Sequence, residues 1–380
     1  MKHIPYNKAH ITGKELHYIS QVLQSGELAG DGKFTKLCSN LLEKKFNIKK
    51  VLLTNSGTAA LDMCAMLCNI KPGDEVIMST FTHPSTANAF LLRGATIKFI
   101  DISTHSIGIN VDLIESAINE NTKVIVPVHY AGNSSRMDVI MSLAEHYNLI
   151  VVEDAAQAMG STYNSQYLGT IGHLGVFSFH NTKNIISGEG GALLINDEKY
   201  IERAEMIRDC GTNRSQFFRR EVRKYGWSDI GSSYLPSEII TAILYAQLEE
   251  FDDIEEKRLG AYKYYYRNLL PLTRSHFDIF MPHFANDRYN GHIFYLTLRN
   301  ENAEDLISYL HTTNIRATTH FVPLHTSPMG LKLGHKVGDF PIAEMISKHL
   351  VRLPLYVDIT KEDQDIVIDN IYDFYHKERA

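Results

Sequence analysis

"KVIVPVHYAGNSSRMDVIMSLAEHYNLIVVEDAAQAMG", residues 123–160, reads as one strand–helix–strand unit. Its outer runs, 123–130 and 149–154, are nearly continuous in Val, Ile and Leu, the pattern of strands covered on both faces. Between them, 137–147 spaces its apolar residues three and four apart, as a helix with one buried side does. Covered strands joined through a helix are the repeating unit of a parallel α/β sheet. The second run ends on Asp154, which puts a carboxylate at the sheet edge rather than out on a surface loop.

The same alternation extends outward over 51–55, 75–79, 97–101, 176–180 and 192–196, with a helix at 58–68 and a "KPGDE" turn at 71–75. It predicts an α/β large domain with a mostly parallel seven-stranded sheet. After residue 196 the pattern changes to a helix at 197–210, a long polar-aromatic loop at 211–236 and a helical stretch at 237–270. A loop of that length is usually functional or interfacial. The rest reads as a smaller α+β domain: strand 292–299, helix 303–313, strand 315–321 and a closing helix at 362–375. The expected division is 1–250 and 251–380.

With 380 residues, 44% hydrophobic and 22% charged, the chain has ordinary globular composition and length for a large core. A net charge of -6 without a Lys/Arg-rich run argues against nucleic acid as partner. No apolar run approaches the roughly 20 residues that span a bilayer, and the N-terminus lacks a signal-peptide core. Four cysteines without a CxxC pair point to burial rather than metal or disulfide, and to a reducing cytoplasm.

In open α/β sheets ligands bind beyond the carboxyl ends of the strands, so the residues there are read together. "TNSGTAAL", 54–61, opens a helix with a small Gly-containing turn, and Gly57 and Thr58 offer backbone N–H groups to an anion. The same residues also read as plain N-cap chemistry. Asp154 reads equally as a partner for a cationic ring N–H or as a cap for the turn after it. Gln157 lies one turn on, and Ser178 sits in the strand before the loop that carries Lys183. A phosphate cradle, a carboxylate for a pyridinium, an amide donor and a lysine from one strand-end crevice are what pyridoxal 5'-phosphate chemistry requires.

"TNSGTAAL", "VVEDAAQAMG", "GTIGHLGVFSFHNTKN" and "GEGGAL" resemble the DegT/DnrJ/EryC1 sugar aminotransferases, fold-type-I pyridoxal phosphate enzymes, and the likeness runs from "SGELAGDGKFTK" to "RLPLY". The resemblance implies that Lys183 binds the cofactor covalently and that Asp154 pairs with its pyridine nitrogen. It implies that Gln157 lies near the phenolic oxygen, and that Gly57, Thr58 and Ser178 serve the phosphate. It also implies a homodimer with shared active sites, the 211–236 loop being an interface element.

Two positions depart from the family pattern. His83 stands where an aromatic ring commonly stacks on the cofactor; Ser233 and Leu235 stand where many members carry Asn and Arg. Ser233 can still donate to the phosphate across the interface, whereas Leu235 cannot replace an arginine.

"GTNRSQFF", "DIGSSYL" and "VIVPVHYAG" resemble the branch that aminates C4 of dTDP-4-keto-6-deoxy-D-glucose with L-glutamate, giving dTDP-4-amino-4,6-dideoxy-D-galactose for cell-surface polysaccharide. Asn213 and Arg214, with Arg220 weaker, are then candidates for sugar-nucleotide contacts. His320 and His325 resemble a segment lining the pocket from the small domain, and no third ligand makes them a metal site. The alternatives are a 4-amino-glucose product, a 3-keto substrate, a non-catalytic sugar-nucleotide binder, and a nicotinamide enzyme. The absent glycine fingerprint weighs against the last.

Overall fold

The computed structural model describes residues 2–104, 106–275, 279–281, 288–298 and 303–377. Its main sheet is built from β1 (Lys50–Thr54), β2 (Glu75–Ser79), β3 (Thr96–Ile100), β4 (Thr122–Val126) and β5 (Ile150–Asp154). After a small hairpin, β6 (Thr162–Tyr163) and β7 (Gln166–Tyr167), the sheet is completed by β8 (Leu174–Ser178) and β9 (Gly191–Ile195). The order is β1-β9-β8-β5-β4-β2-β3. β9 pairs antiparallel with both β1 and β8, and every other pairing in this sheet is parallel.

The apolar runs are continuous because alternate side chains enter different cores. Val76, Met78, Val124, Val126 and Val152 pack with Leu61, Cys64 and Phe90 on one face. Ile77, Ile125 and Val151 point the other way, onto Met137 and Ile140. Further along that second face, Val51, Leu53 and Leu194 meet Phe46, Phe177 and Leu248. With both faces covered, no polar alternation is required of the strands.

A second, antiparallel sheet, β10 (Ile279–Phe280), β11 (Phe294–Leu298) and β12 (Leu350–Leu353), carries its own core of Leu296, Val351, Leu306, Leu310, Val367 and Ile371. The helix Phe251–Ser275 joins the two cores: Phe251 and Ile254 belong to the first, Tyr262, Tyr265 and Leu269 to the second.

Several boundaries differ from those read in the sequence. The 123–130 run is strand only to Val126, because Pro127 has no N–H to continue the ladder; the chain then turns through Tyr130–Gly132, where Ala131 takes φ 58°. The single helix expected over 237–270 is two, Glu238–Glu249 and Phe251–Ser275, and the second begins with Asp252 and Asp253, which suit a helix N-terminus.

Residues 315–321 form no strand. Their backbone is taken up by the N-terminus, where the Arg316 N–H donates to the Ile4 carbonyl at 2.9 Å and the Ile4 N–H to the Asn314 carbonyl at 3.0 Å, and by Thr318, which pairs with Arg352. The 211–236 loop contains a short helix, Arg214–Phe218, and in the expected strand 292–299 Arg299 lies outside the described residues.

Cys38, Cys64 and Cys68 are buried and free, and Cys210 is exposed. Among the described residues no helix is long and apolar enough to cross a membrane, and no group of three or more His, Cys, Asp or Glu is placed to hold a metal.

Candidate active site

The carboxyl ends of β1, β2, β5 and β8 open onto a cavity of about 390 Å³. Gly57, Thr58, His83, Asp154, Gln157, Ser178, Lys183 and His320 all line it.

Ser56 caps the helix Gly57–Leu67, its hydroxyl accepting from the Ala59 amide at 3.0 Å. The amides of Gly57 and Thr58 therefore open the helix with no carbonyl one turn back to bond, an arrangement suited to an anion. The turn fits because two glycines let it approach the sheet. A Cβ on Gly57 would stand 3.0 Å from the Ser178 Cβ, and one on Gly191 would stand 2.4 Å from the Gly57 nitrogen. Ser178, at the end of β8, completes this corner.

Asp154 is 6% exposed. Its Oδ2 accepts from the Thr86 hydroxyl at 2.8 Å and its Oδ1 from the Ala156 amide at 3.2 Å. No cationic side chain bonds it directly among the described residues, so a buried negative charge faces the cavity. Gln157 accepts the Ala131 N–H on its side-chain oxygen at 2.7 Å, which orients its NH₂ as the free donor.

Lys183 lies on the β8–β9 loop, its backbone N–H bonded to the His180 carbonyl at 2.9 Å. Burial lowers its amine to about 8; the Asp154 charge opposes that shift and the Arg352 charge adds to it. A neutral amine is thus accessible near neutral pH, which a nucleophilic lysine requires.

The histidine His83 caps the helix Pro84–Leu91 and bonds the Ser85 hydroxyl at 2.8 Å. Burial, then the Lys183 charge, lowers its pKa. His320 bonds the Tyr130 hydroxyl at 2.6 Å and stacks on Phe321 at 3.8 Å; burial, then Arg352, holds it well below the usual range. His292 bonds the Asn184 side-chain oxygen at 2.8 Å and is likewise held low by burial.

Taken together these residues fit pyridoxal 5'-phosphate: an anion corner that a single Cβ on Gly57 would fill, a buried carboxylate with no cationic partner, and a lysine with a depressed pKa.

Five expected residues are placed elsewhere. His325 is buried away from the cavity, bridging the Thr80 hydroxyl (2.8 Å) and Glu344 (2.9 Å). Asn213 caps its own loop by accepting the Gly226 N–H at 2.8 Å, and Arg214 lies 3.7 Å from Asp209 and over the Phe218 ring. Ser233 is exposed; its carbonyl accepts from the Asn55 side chain at 3.3 Å, beside the anion corner but outside the cavity lining. Arg220 lies among Phe217, Phe218 and Arg223.

The cavity also holds residues that the sequence reading passed over, Tyr6, His292 and Arg352. Arg352 had a local signal: one arginine inside the apolar run of β12.

The family model described as the DegT/DnrJ/EryC1/StrS aminotransferase family matches residues 9–372. Among curated proteins, the GDP-perosamine synthase of Escherichia coli O157:H7 is 31% identical over 379 residues, covering 99% of each chain. A protein of Bacillus subtilis named as a putative pyridoxal phosphate-dependent aminotransferase, EpsN, is 32% identical, covering 99% of this chain and 96% of its own. Among solved structures, S. venezuelae DesV in complex with a ketimine intermediate superposes with a TM-score of 0.89 at 26% identity, covering 98% of this chain and 99% of that one.

Proposed function

This chain belongs to the DegT/DnrJ/EryC1/StrS aminotransferase family, a family of pyridoxal-phosphate-dependent sugar aminotransferases, and from that premise we propose its substrates. The amino donor is L-glutamate and the acceptor is dTDP-4-keto-6-deoxy-D-glucose, aminated at C4 to dTDP-4-amino-4,6-dideoxy-D-galactose. The observation that carries the chemistry is Lys183, its amine lowered to about 8, in one cavity with the buried carboxylate of Asp154. The sugar is supported by the likeness of "GTNRSQFF" and "DIGSSYL" to the C4-aminating branch.

When bound, the cofactor supplies an electron sink for the carbon that loses its proton. This chain's residues do the rest. Asp154 holds the pyridine nitrogen protonated, with Thr86 fixing the carboxylate. The Gly57 and Thr58 amides and Ser178 hold the phosphate, Gln157 donates toward the phenolic oxygen, and His83 lies against the ring. Lys183 would hold the cofactor covalently, and its Nζ would be the atom that takes up and returns the proton.

The partner in this reading is a second copy of the chain. Support comes from apolar side chains exposed around the 211–236 segment, Phe218, Trp227 and Ile230. Across such an interface Ser233, Asn213 and Arg214 would serve the neighbouring site. The three buried, reduced cysteines suit a cytoplasmic enzyme.

A second reading replaces the nucleotide: a relative named GDP-perosamine synthase favours a GDP-linked keto sugar. Holoenzyme with L-glutamate and each keto sugar nucleotide separates them, the product's C4 configuration being read by NMR. An axial amine on the dTDP sugar supports the first reading. Turnover of the GDP sugar alone overturns it.

A further inference from the structure

Arg352 is the third residue of β12, pinned on both sides of its backbone by Thr318, at 2.7 Å through its N–H and 3.1 Å through its carbonyl. Its side chain reaches the cavity, with the guanidinium 5.8 Å from the Tyr6 ring. The Nε is buried without any acceptor, and the side chain makes neither a hydrogen bond nor an ion pair with the described residues. Among the described residues the two buried arginines each have a protein acceptor: Arg208 holds Asp31 through its Nη2, although its Nε too is unpaired, and Arg258 donates to the carbonyls of Gly291 and His292. A desolvated guanidinium is costly unless an anion meets it, and its planar fork matches a carboxylate.

The surroundings narrow the choice of anion. Asp154 is the one buried carboxylate on the lining, and it is engaged by Thr86 and Ala156. The phosphate corner at Gly57 is built from the other sheet, by β1 and β8. The Arg352 charge is felt at Lys183, after burial and Asp154, and at His320 and His292. In an α-amino acid the reacting amine and the α-carboxylate share one carbon, so a donor reacting at the Lys183 end brings its carboxylate close to that amine.

We propose that Arg352 is the residue that receives the α-carboxylate of the amino-acid donor, and so sets the preference for an α-amino acid. Tyr6, against its flank, keeps the guanidinium aimed into the cavity. The assignment rests on the reading of L-glutamate as donor.

The test is single-turnover conversion of the holoenzyme's aldehyde cofactor to the amine form, followed by absorbance, with L-glutamate and with 4-aminobutanoate, which lacks the α-carboxylate. Wild type prefers L-glutamate. Arg352→Gln is expected to cut that preference roughly 10- to 150-fold, the worth of a hydrogen bond to a charged group, through L-glutamate alone, and Arg352→Lys to restore part of it. Equal losses for both donors, or no loss, overturn the proposal. So does a variant whose donor step is intact while transfer to the keto sugar fails, which would assign the guanidinium to the nucleotide phosphates.

Melting of the cofactor-free protein gives an independent readout. Arg352→Gln should raise the midpoint, because it removes a half-buried cation that has no protein acceptor, whereas an arginine that only braces the fold would lower it. If Arg352→Gln does not fold, the proposal fails on that ground. The donor step uses no sugar, so an incorrect sugar assignment leaves this result readable. Wild-type holoenzyme that L-glutamate does not convert overturns the donor reading itself.

Discussion

The Thr86 hydroxyl donates to Asp154 Oδ2 at 2.8 Å, and Thr82 stands behind it at 3.0 Å from the Thr86 oxygen. Thr86 lies in the first turn of the helix Pro84–Leu91, so the helix that His83 caps also positions the carboxylate. Thr86→Val keeps the shape and removes the donor. A hydrogen bond to a charged group is worth about 1.5–3 kcal/mol, so cofactor affinity should fall roughly 10- to 150-fold, with Thr86→Ser restoring it. Spectrophotometric titration of the cofactor-free protein measures this, and unchanged affinity in Thr86→Val would remove Thr86 from the site.

Lys183 is a group whose folded pKa, about 8, lies below the ordinary lysine value of 10.5. The unfolded chain therefore binds its proton more readily, and the native state is penalised wherever both are protonated. The penalty is full below about pH 8 and is relieved as pH rises toward 10.5. At one pKa unit per 1.36 kcal/mol the upper limit is on the order of 3 kcal/mol. Cofactor-free Lys183→Ala should be more stable than wild type at pH 7, and the gap should close between pH 8 and 10.5. Urea denaturation at several pH values measures it; a gap that widens with pH contradicts the shift. The same variant should lose amination and the cofactor linkage that borohydride traps on Lys183.

Asp154, Gly57, Ser178 and Lys183 were legible because each sits within a few residues of a strand end, where local pattern carries the information. Arg352, His292 and Tyr6 were not: they arrive from the second sheet and the N-terminus, and no local spacing records which cavity a strand residue will face. Register defeated the reading of 315–321 for a related reason, since its backbone bonds belong to Ile4 and Arg352. The helix Lys33–Phe46 ends on a local signal, Asn47 at φ 53°, but Gly32 gives it no side-chain cap at its start. Glu238, two hundred residues on, accepts the amides of Phe34 and Thr35 at 2.7 and 3.1 Å and does the capping.

His325, expected to line the pocket, links two distant segments, Thr80 after β2 and Glu344 of the helix Pro341–His349. His325→Leu removes the imidazole partner of the Thr80 hydroxyl and of Glu344, leaving Thr80 only the backbone N–H of residue 325 (3.2 Å), at a cost of about 1–3 kcal/mol. The melting temperature should drop while KM for the sugar nucleotide stays within error. A raised KM with unchanged melting temperature would return His325 to the site.

Gly57 and Gly191 look interchangeable in sequence, but their surroundings predict different failures. A Cβ at Gly57 meets the Ser178 side chain at 3.0 Å, a contact that a rotation or small shift can relieve. It also projects at the corner offered to the phosphate. Gly57→Ala should fold, with cofactor affinity lowered and the melting temperature of the cofactor-free protein nearly unchanged. A Cβ at Gly191 meets the Gly57 nitrogen and the Ser56 carbonyl carbon, both at 2.4 Å. Backbone on both sides cannot rotate away, so β9 must part from the turn after β1, where Gly191 pairs with Thr54. Overpacking of this kind costs at least about 1–3 kcal/mol. Gly191→Ala should therefore lower the melting temperature before any cofactor is added. Equal melting temperatures for the two cofactor-free variants would show that the approach of β9 to the anion corner is looser than these contacts require.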